Sequence, residues 1–238
     1  MSEMPPLAIL AGGLATRLRP LTERVPKAMI EVGGQPFIAH QLRLLRRERV
    51  SRVVLCLGHL GEQVEAFVGD GSQFGLSVVY CYDGASLLGT GGALRLALDQ
   101  LGPEFLVMYG DSWLDIGFAP VVDAFRASGK SALMTVYRNS DRWDRSNIWF
   151  ENGKIRVYDK QQRLPQMHYI DWGLSITKAD VIAARPVQTA FDLAEVYGKL
   201  ARQDDLGGYE ITTRFYEIGS PEGLRETDAL LRNKPWSA

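Results

Sequence analysis

The chain has 238 residues, of which 46% are hydrophobic and 23% are charged, so it can bury one full-sized core and is not disordered. Its 27 basic and 28 acidic residues give a formal net charge of -1, which argues against a basic nucleic-acid-binding surface. No run approaches the roughly 18 apolar residues that span a bilayer, and residues 1–6 lack a signal-peptide pattern. These features predict a cytoplasmic protein without a membrane or nucleic-acid partner.

The first half of the sequence alternates short apolar runs with amphipathic segments. Strands are predicted at Leu7–Ala11, Val53–Leu57, Leu76–Tyr82 and Phe105–Tyr109. Helices are predicted at Phe37–Arg49, Gly61–Val68, Ala93–Leu101 and Pro120–Ser128. Strands that alternate with helices at this spacing favour right-handed crossovers and a parallel sheet covered on both faces.

The second half has a different pattern, with strands that follow one another more directly. Strands are predicted at Ala132–Tyr137, Ile148–Glu151, Lys154–Tyr158 and Leu174–Thr177, and Asn152-Gly153 is a strong hairpin-turn signal. The fold class is therefore predicted as α/β, with a mixed, mostly parallel, doubly wound sheet and antiparallel additions in the second half. Because no linker rich in Pro, Gly or Ser interrupts the chain, we expect residues 1–238 to form a single domain.

A glycine-rich loop follows the first predicted strand. Gly12-Gly13 let the backbone approach a ligand closely, and the amides of such a turn suit phosphate oxygens. Arg17 and Lys27 would add positive charge against a polyphosphate. The spacing fits neither the dinucleotide fingerprint nor the P-loop, and a purely structural turn remains an alternative at this point.

Residues 10–22, read in full as Leu-Ala-Gly-Gly-Leu-Ala-Thr-Arg-Leu-Arg-Pro-Leu-Thr and followed by Pro26-Lys27, resemble a known signature. It is the opening Leu-x-Gly-Gly-x-Gly-Thr-Arg-Leu-x-Pro-Leu-Thr of the sugar-1-phosphate nucleotidyltransferase family. The resemblance extends from Leu7 to about Leu231 and is greatest to short, single-domain members such as heptose-1-phosphate guanylyltransferases. Ala15 departs from the family's glycine, at a cost of about 1 kcal/mol if its φ is positive.

The resemblance implies a Rossmann-like nucleotidyltransferase fold, with nucleotide binding in residues 1–130 and acceptor binding in residues 131–238. The nucleotide-binding residues it implies are Leu10, Ala11, Gly12, Gly13, Thr16, Arg17, Gly89, Thr90 and Gly110. The catalytic residues it implies are Arg17, Lys27 and Asp111. Asp111 follows an apolar strand, at the edge where ligands bind in open parallel sheets, and a carboxylate there suits Mg²⁺.

Three later segments resemble the acceptor side of the family. Lys160 would bind the acceptor phosphate, and Asp171-Trp172-Gly173 occupies the position of an Asn-x-Gly segment that contacts the sugar. Aspartate there accepts hydrogen bonds but cannot donate them, which leaves the sugar open. Glu217 would be a second metal ligand beside Asp111, with a side chain one methylene longer than the family's aspartate.

The resemblance implies a Mg²⁺-dependent transfer of a nucleoside monophosphate from a nucleoside triphosphate to a sugar 1-phosphate, with release of pyrophosphate. An alternative is a cytidylyltransferase acting on a non-sugar phosphate or phosphonate such as phosphocholine, because a carboxylate at Asp171 beside the face of Trp172 would suit a cation. A second alternative is a regulatory subunit that binds nucleotide without turnover. The sequence does not identify the base, and it is compatible with a homodimer.

Overall fold

The computed structural model describes residues 3–84, 86–232 and 234. Its strands are β1 (Leu7–Ala11), β2 (Glu31–Val32), β3 (Gln35–Pro36), β4 (Arg52–Leu57), β5 (Ser77–Tyr82), β6 (Glu104–Tyr109), β7 (Ser112–Trp113), β8 (Ala132–Arg138), β9 (Ile148–Glu151), β10 (Lys154–Tyr158), β11 (Tyr169–Lys178), β12 (Leu206–Ile211) and β13 (Tyr216–Glu217). Its α-helices are α1 (Phe37–Arg47), α2 (Gly61–Val68), α3 (Gly89–Ala97), α4 (Ala119–Ser128), α5 (Ala179–Ala183), α6 (Leu193–Arg202) and α7 (Pro221–Arg232).

One nine-stranded sheet organises the chain, in the order β5-β4-β1-β6-β11-β8-β12-β10-β9. The strands from the first half, β5, β4, β1 and β6, pair in parallel. In the second half β11 runs antiparallel to both β6 and β8, and β10 runs antiparallel to β9 and β12, while β8 and β12 are parallel. The predicted α/β fold with antiparallel additions is confirmed, including the hairpin turn at Asn152-Gly153 between β9 and β10.

The two faces of the sheet carry separate cores because side chains alternate along each strand. In β1, Leu7 and Ile9 pack into the core that α1, α2 and α4 cover, whereas Ala8 packs into the core under α3 and α6. Val53 and Val54 of β4 divide between the two cores in the same way. Both faces of the sheet are therefore covered, and the ends of the parallel strands remain accessible for a ligand.

A third, smaller core lies beyond the carboxyl end of the sheet. Leu18, Trp113 and Ile218 are each no more than 6% exposed and belong to this cluster. The two-residue strands β7 and β13 pair antiparallel within it. Since Leu18 and Ile218 directly follow Arg17 and Glu217 in sequence, burial of their apolar neighbours brings these charged residues to one place.

The structure also differs from the predicted elements. Helix α3 begins at Gly89 rather than near Ala93, and β11 starts at Tyr169, five residues before the prediction. Elements α6, β12 and α7 were not predicted from the sequence. Over the described residues, none of the helices combines the length and apolar character needed to cross a membrane.

Candidate nucleotide and acceptor site

A pocket opens where β1, β4, β5 and β6 end, at the edge of the sheet that the parallel topology predicts. Many residues singled out in the sequence line it together: Leu10, Ala11, Gly12, Gly13, Lys27, Gly89, Thr90, Gly110 and Asp111. Thr16 and Arg17 are exposed on a single 3-10 turn that follows the loop, and they do not line this pocket. The glycine-rich loop and the strand-end carboxylate thus face one space.

The loop reaches its turn through a residue in a strained conformation. Ala15 has φ 48° and ψ 42°, in the left-handed region, so the replacement of the family's glycine falls at a position where alanine is strained. The hydroxyl of Thr22 donates to the carbonyl of Ala15 at 2.9 Å and stabilises the turn. The alanine therefore costs about 1 kcal/mol of backbone energy without preventing the loop conformation.

Lys27 and Asp111 form the charged centre of the pocket. Lys27 Nζ lies 3.0 Å from Asp111 Oδ2, and the two side chains are 20% and 29% exposed. Lys27 begins a 3-10 turn directly after Pro26, whose backbone is extended. The partial exposure leaves both charges within reach of a ligand.

Arg17 and Glu217 meet Asp111 beside Gly219. A Cβ atom placed on Gly219 would lie 2.7 Å from Glu217 Oε2, 3.1 Å from Asp111 Oδ2 and 3.3 Å from Arg17 Nη2. The amide of Ile218 donates to the carbonyl of Asp111 at 2.9 Å and ties the two strand ends together. Two carboxylates and a guanidinium thus converge on a position that only glycine leaves open.

This arrangement fits the requirements of Mg²⁺. No group of three or more His, Cys, Asp or Glu side chains that could enclose a metal occurs among the described residues. Mg²⁺ usually takes one or two protein carboxylates, and substrate phosphates and water complete its coordination. Asp111 and Glu217 offer that ligand set, so they would hold the ion. Glu217 Oε1 also accepts from Ser220 Oγ at 2.6 Å and its Oε2 from the Gly219 amide.

Residues 88–93 form a second glycine-rich loop, in which Gly91 and Gly92 allow close packing against another segment of the chain. A Cβ on Gly91 would lie 2.2 Å from the ring of Phe191, and a Cβ on Gly92 would lie 2.6 Å from the carbonyl oxygen of Thr189. Gly91 donates its amide to Phe191 O at 3.0 Å. The segment 189–193 therefore occupies the space beside these two glycines. Thr90 nevertheless lines the pocket.

The predicted acceptor lysine lies beside this packed segment. Lys160 Nζ is 3.2 Å from Asp192 Oδ2, in an ion pair between partly exposed side chains. Asp192 is the N-cap of α6, and it also accepts from Thr90 Oγ1 at 3.0 Å. Burial opposes ionisation of Asp192, but the Ala194 amide and Lys160 outweigh it and lower its pKa. Lys160 is thus one side chain away from the wall of the nucleotide pocket.

Asp171 is held in a defined orientation on β11. Its Oδ2 accepts from the Tyr109 hydroxyl at 3.0 Å, and its Oδ1 accepts from the Gly173 amide at 2.9 Å. Burial raises the pKa of Asp171, and Lys160 partly opposes that shift. Because Tyr109 also lines the nucleotide pocket, Asp171 lies directly behind it, on the side of Lys160.

Trp172 does not face this site. Its side chain is 1% exposed, packs in the core under α1, α2 and α4, and donates its indole N–H to Thr213 O at 2.8 Å. Successive residues of a strand point to opposite faces, so Trp172 turns away from the side occupied by Asp171. The expectation that the indole lines the acceptor site was wrong.

Asp83, Tyr109 and Asp192 are site residues that sequence reasoning missed. Asp83 lines the pocket at the end of β5, and burial raises its pKa although the Leu88 amide opposes the shift. Its position after a predicted parallel strand was a usable signal, since the same logic identified Asp111. Tyr109 and Asp192 gave no such signal, because their contacts join segments 62 and 102 residues apart.

Comparison with known proteins identifies the family of the chain. The nucleotidyl transferase family profile matches residues 7–146. The N-acetylmuramate alpha-1-phosphate uridylyltransferase of Neisseria meningitidis is 40% identical over 231 residues, which cover 93% of this chain and 96% of that protein. The UTP--glucose-1-phosphate uridylyltransferase of Synechocystis is 27% identical over 81% of this chain. The chain spans only 54% of that protein and 66% of a rice relative named for mannose-1-phosphate guanylyltransferase.

Solved structures share the fold at lower identity. A Bacillus anthracis structure, named as a candidate glucose-1-phosphate thymidylyltransferase, superposes with a TM-score of 0.85 at 23% identity, covering 99% of this chain and 98% of its own. The inositol-1-phosphate CTP transferase of T. maritima gives a TM-score of 0.78 at 19% identity, with 99% of both chains covered. With the family profile over residues 7–146 and the 40% identical relative, these matches lead to one conclusion: the chain belongs to the nucleotidyl transferase family.

Proposed function

We propose that this protein transfers a uridylyl group from UTP to N-acetylmuramate 1-phosphate, giving UDP-N-acetylmuramate and pyrophosphate. The observation that carries the proposal is the convergence of Lys27, Asp111, Arg17 and Glu217 at the open end of the glycine-rich loop. That site suits a nucleoside triphosphate and a metal ion. The relative that matches the chain along nearly its whole length supports uracil as the base and an N-acetylated, acidic sugar as the acceptor.

The proposed reaction is an in-line displacement at the α-phosphorus. An oxygen of the acceptor phosphate forms a new bond to the α-phosphorus, and the bond from that phosphorus to the bridging oxygen of pyrophosphate breaks. A phosphate monoester is largely dianionic at neutral pH, so the acceptor needs no general base. The residues of the chain therefore contribute position and charge.

Each cluster of the site would perform one part of this task. The backbone of Gly12 and Gly13 would approach the triphosphate, and Lys27 and Arg17 would neutralise its charge as pyrophosphate departs. Asp111 and Glu217 would hold Mg²⁺, which neutralises phosphate charge when it is bound. Lys160 would bind the attacking phosphate, and Asp171 would accept hydrogen bonds from the sugar.

Two alternatives lose support from the site. The cytidylyltransferase hypothesis depended on an aromatic face beside Asp171, and Trp172 is buried away from it. A regulatory subunit without turnover would be expected to lack a metal carboxylate or the phosphate cations, whereas this chain has Asp111, Lys27 and Arg17 close together. The resemblance to heptose-1-phosphate guanylyltransferases remains consistent with the fold but has less support than the uridylyl relative.

A pyrophosphate-release screen tests the proposal. The purified protein is assayed with Mg²⁺, five nucleoside triphosphates and a panel of 1-phosphates of N-acetylmuramate, N-acetylglucosamine, glucose, mannose and heptose, with phosphocholine included. We expect the largest kcat/KM for UTP with N-acetylmuramate 1-phosphate. Preference for another pair would refute this substrate assignment, and no release with any pair would refute the enzyme activity itself.

A further inference from the structure

The segment 189–193 joins the nucleotide side of the site to the acceptor side. Phe191 accepts two amides from the second glycine-rich loop, from Gly91 at 3.0 Å and Gly92 at 3.4 Å, and returns its own amide to Leu88 O at 3.0 Å. The ring of Phe191 fills the space over Gly91 and is 6% exposed. This segment and the loop around Thr90 therefore form one packed unit.

Asp192 extends this unit to the acceptor lysine. Its Oδ1 accepts from Thr90 Oγ1 at 3.0 Å and from the Ala194 amide at 2.9 Å, while its Oδ2 is 3.2 Å from Lys160 Nζ. Thr90 Oγ1 in turn accepts from the Leu193 amide at 2.8 Å. Two of the three anchors of Asp192 are thus independent of Lys160, so the carboxylate has a fixed position to which the flexible lysine is drawn.

The ion pair with Asp192 restrains the side chain of Lys160, which lies outside the regular strand β10. It follows β10 in an irregular segment, its side chain is 43% exposed, and a free lysine loses considerable rotamer entropy when a ligand fixes it. An ammonium group has three donors, so contact with Asp192 leaves others for a phosphate oxygen. A lysine held in advance binds such an oxygen at a smaller entropic cost.

We propose that Asp192 is a positioning residue that fixes Lys160 relative to the nucleotide-binding loop, through Thr90, so that the acceptor phosphate is presented to a bound nucleotide. The proposal rests on the proposed function, because it assigns Lys160 to the acceptor phosphate. In addition, the Thr90 hydroxyl, which lies on the nucleotide side, influences binding of the acceptor phosphate through Asp192. Neither the pocket lining nor the glycine-rich motif predicts that link.

Variants of Asp192 can separate its role in positioning Lys160 from its role as the N-cap of α6. Asp192→Asn and Asp192→Ser both keep a side chain that caps a helix well, but neither carries the charge that holds Lys160. Glu195→Gln is the matched control, since it removes a carboxylate of the same helix turn whose ion-pair partner is Arg185 rather than Lys160. We expect both Asp192 variants to raise the acceptor KM about 5-fold, the range of a partly exposed ion pair, with the KM for the nucleotide and the Tm nearly unchanged.

A double-mutant cycle measures whether the effect of Asp192 on the acceptor KM depends on Lys160, which a purely structural role of Asp192 would not produce. In a Lys160→Ala background, Asp192→Asn should leave the acceptor KM unchanged, because the residue acts through that lysine. Thr90→Val should also raise the acceptor KM, and Thr90→Ser, which keeps the hydroxyl, should restore it. The assay uses whichever substrate pair the wild-type protein turns over.

The outcomes are distinct. An equal effect of Asp192→Asn with and without Lys160 would overturn the proposal. A fall in the acceptor KM would also overturn it, since the carboxylate would then compete with the phosphate for the lysine. A wild-type protein that turns over no pair would refute the proposed function and this inference with it, whereas normal turnover with an unaffected Asp192→Asn variant would refute the inference alone.

Discussion

Replacement of Gly219 by alanine tests whether the convergence of charges is essential to activity. The φ of Gly219 is not positive, so alanine meets no backbone strain there. Its Cβ would instead lie 2.7 Å from Glu217 Oε2, closer than a carbon and an oxygen can pack, and 3.1 Å from Asp111 Oδ2, which is a tight contact. Glu217 Oε2 must therefore shift, although the Gly219 amide and Ser220 hold this carboxylate, and Asp111 and Arg17 must give way by a few tenths of an ångström.

The expected cost follows from overpacking of one methyl group. Such crowding destabilises a protein by about 1–3 kcal/mol, and each kcal/mol lowers Tm by about 2–4 °C in a chain of this size. Displacement of a preorganised charge reduces kcat by a factor on the order of 100. We therefore expect Gly219→Ala to reduce kcat, measured by pyrophosphate release, by a factor on the order of 100. Thermal unfolding should show only the modest fall in Tm that this loss of stability produces.

Gly117→Ala is the matched control for this experiment. A Cβ on Gly117 would meet only Pro120 Cδ at 3.7 Å, an ordinary contact, and its φ is not positive. We expect this variant to keep both Tm and turnover. If Gly219→Ala retained the wild-type kcat, the space between the three charged groups would have no role in the reaction, and the reasoning would be refuted.

Three further substitutions test separate parts of the account. In Gly13→Ala the new Cβ meets no protein atom within 4 Å, so Tm should be unchanged, while the KM for the nucleotide should rise about 10-fold because the Cβ keeps the phosphates away from the backbone amides; an unchanged KM would show that the loop does not contact them. Gly91→Ala should lower the free energy of unfolding by about 1–3 kcal/mol or more in urea, because its Cβ would meet Phe191 at 2.2 Å, and full stability would contradict the packing role. Burial raises the pKa of Asp171, so its charged form lowers stability once the pH exceeds the unfolded pKa of about 3.9. Asp171→Asn should therefore stabilise the fold at pH 7 and much less at pH 4, and an equal gain at both would contradict this cause.

The parallel half of the fold was predictable because its signals are local. Each strand is a short apolar run, and alternating burial in β1 and β4 follows directly from the two-residue period. The strand-end rule predicted the position of Asp111, and the loop glycines predicted a stretch of backbone that lines the same pocket. Helices α6 and α7 are also amphipathic, but the acceptor half was interpreted mainly through short motifs, and these two helices were missed.

The rest of the site depends on contacts between distant segments. Trp172 was assigned to the acceptor site because it neighbours Asp171 in sequence, yet strand alternation directs it into the core. The residue that requires Gly91 to be glycine is Phe191, 100 positions later in the chain. A requirement of this kind can be recognised only when the tertiary structure shows which segments of the chain pack against each other.

In the proposed mechanism, nucleotidyl transfer depends on a metal ion held by the carboxylate at the end of β6. Asp111→Asn preserves the size of the side chain and removes its charge, so the most direct measurement is pyrophosphate release by this variant across a Mg²⁺ titration. We expect turnover to fall by a factor on the order of 100 or more at every Mg²⁺ concentration, with wild-type Tm. Wild-type turnover by Asp111→Asn, with the Mg²⁺ dependence of the unmodified protein, would contradict metal binding by Asp111.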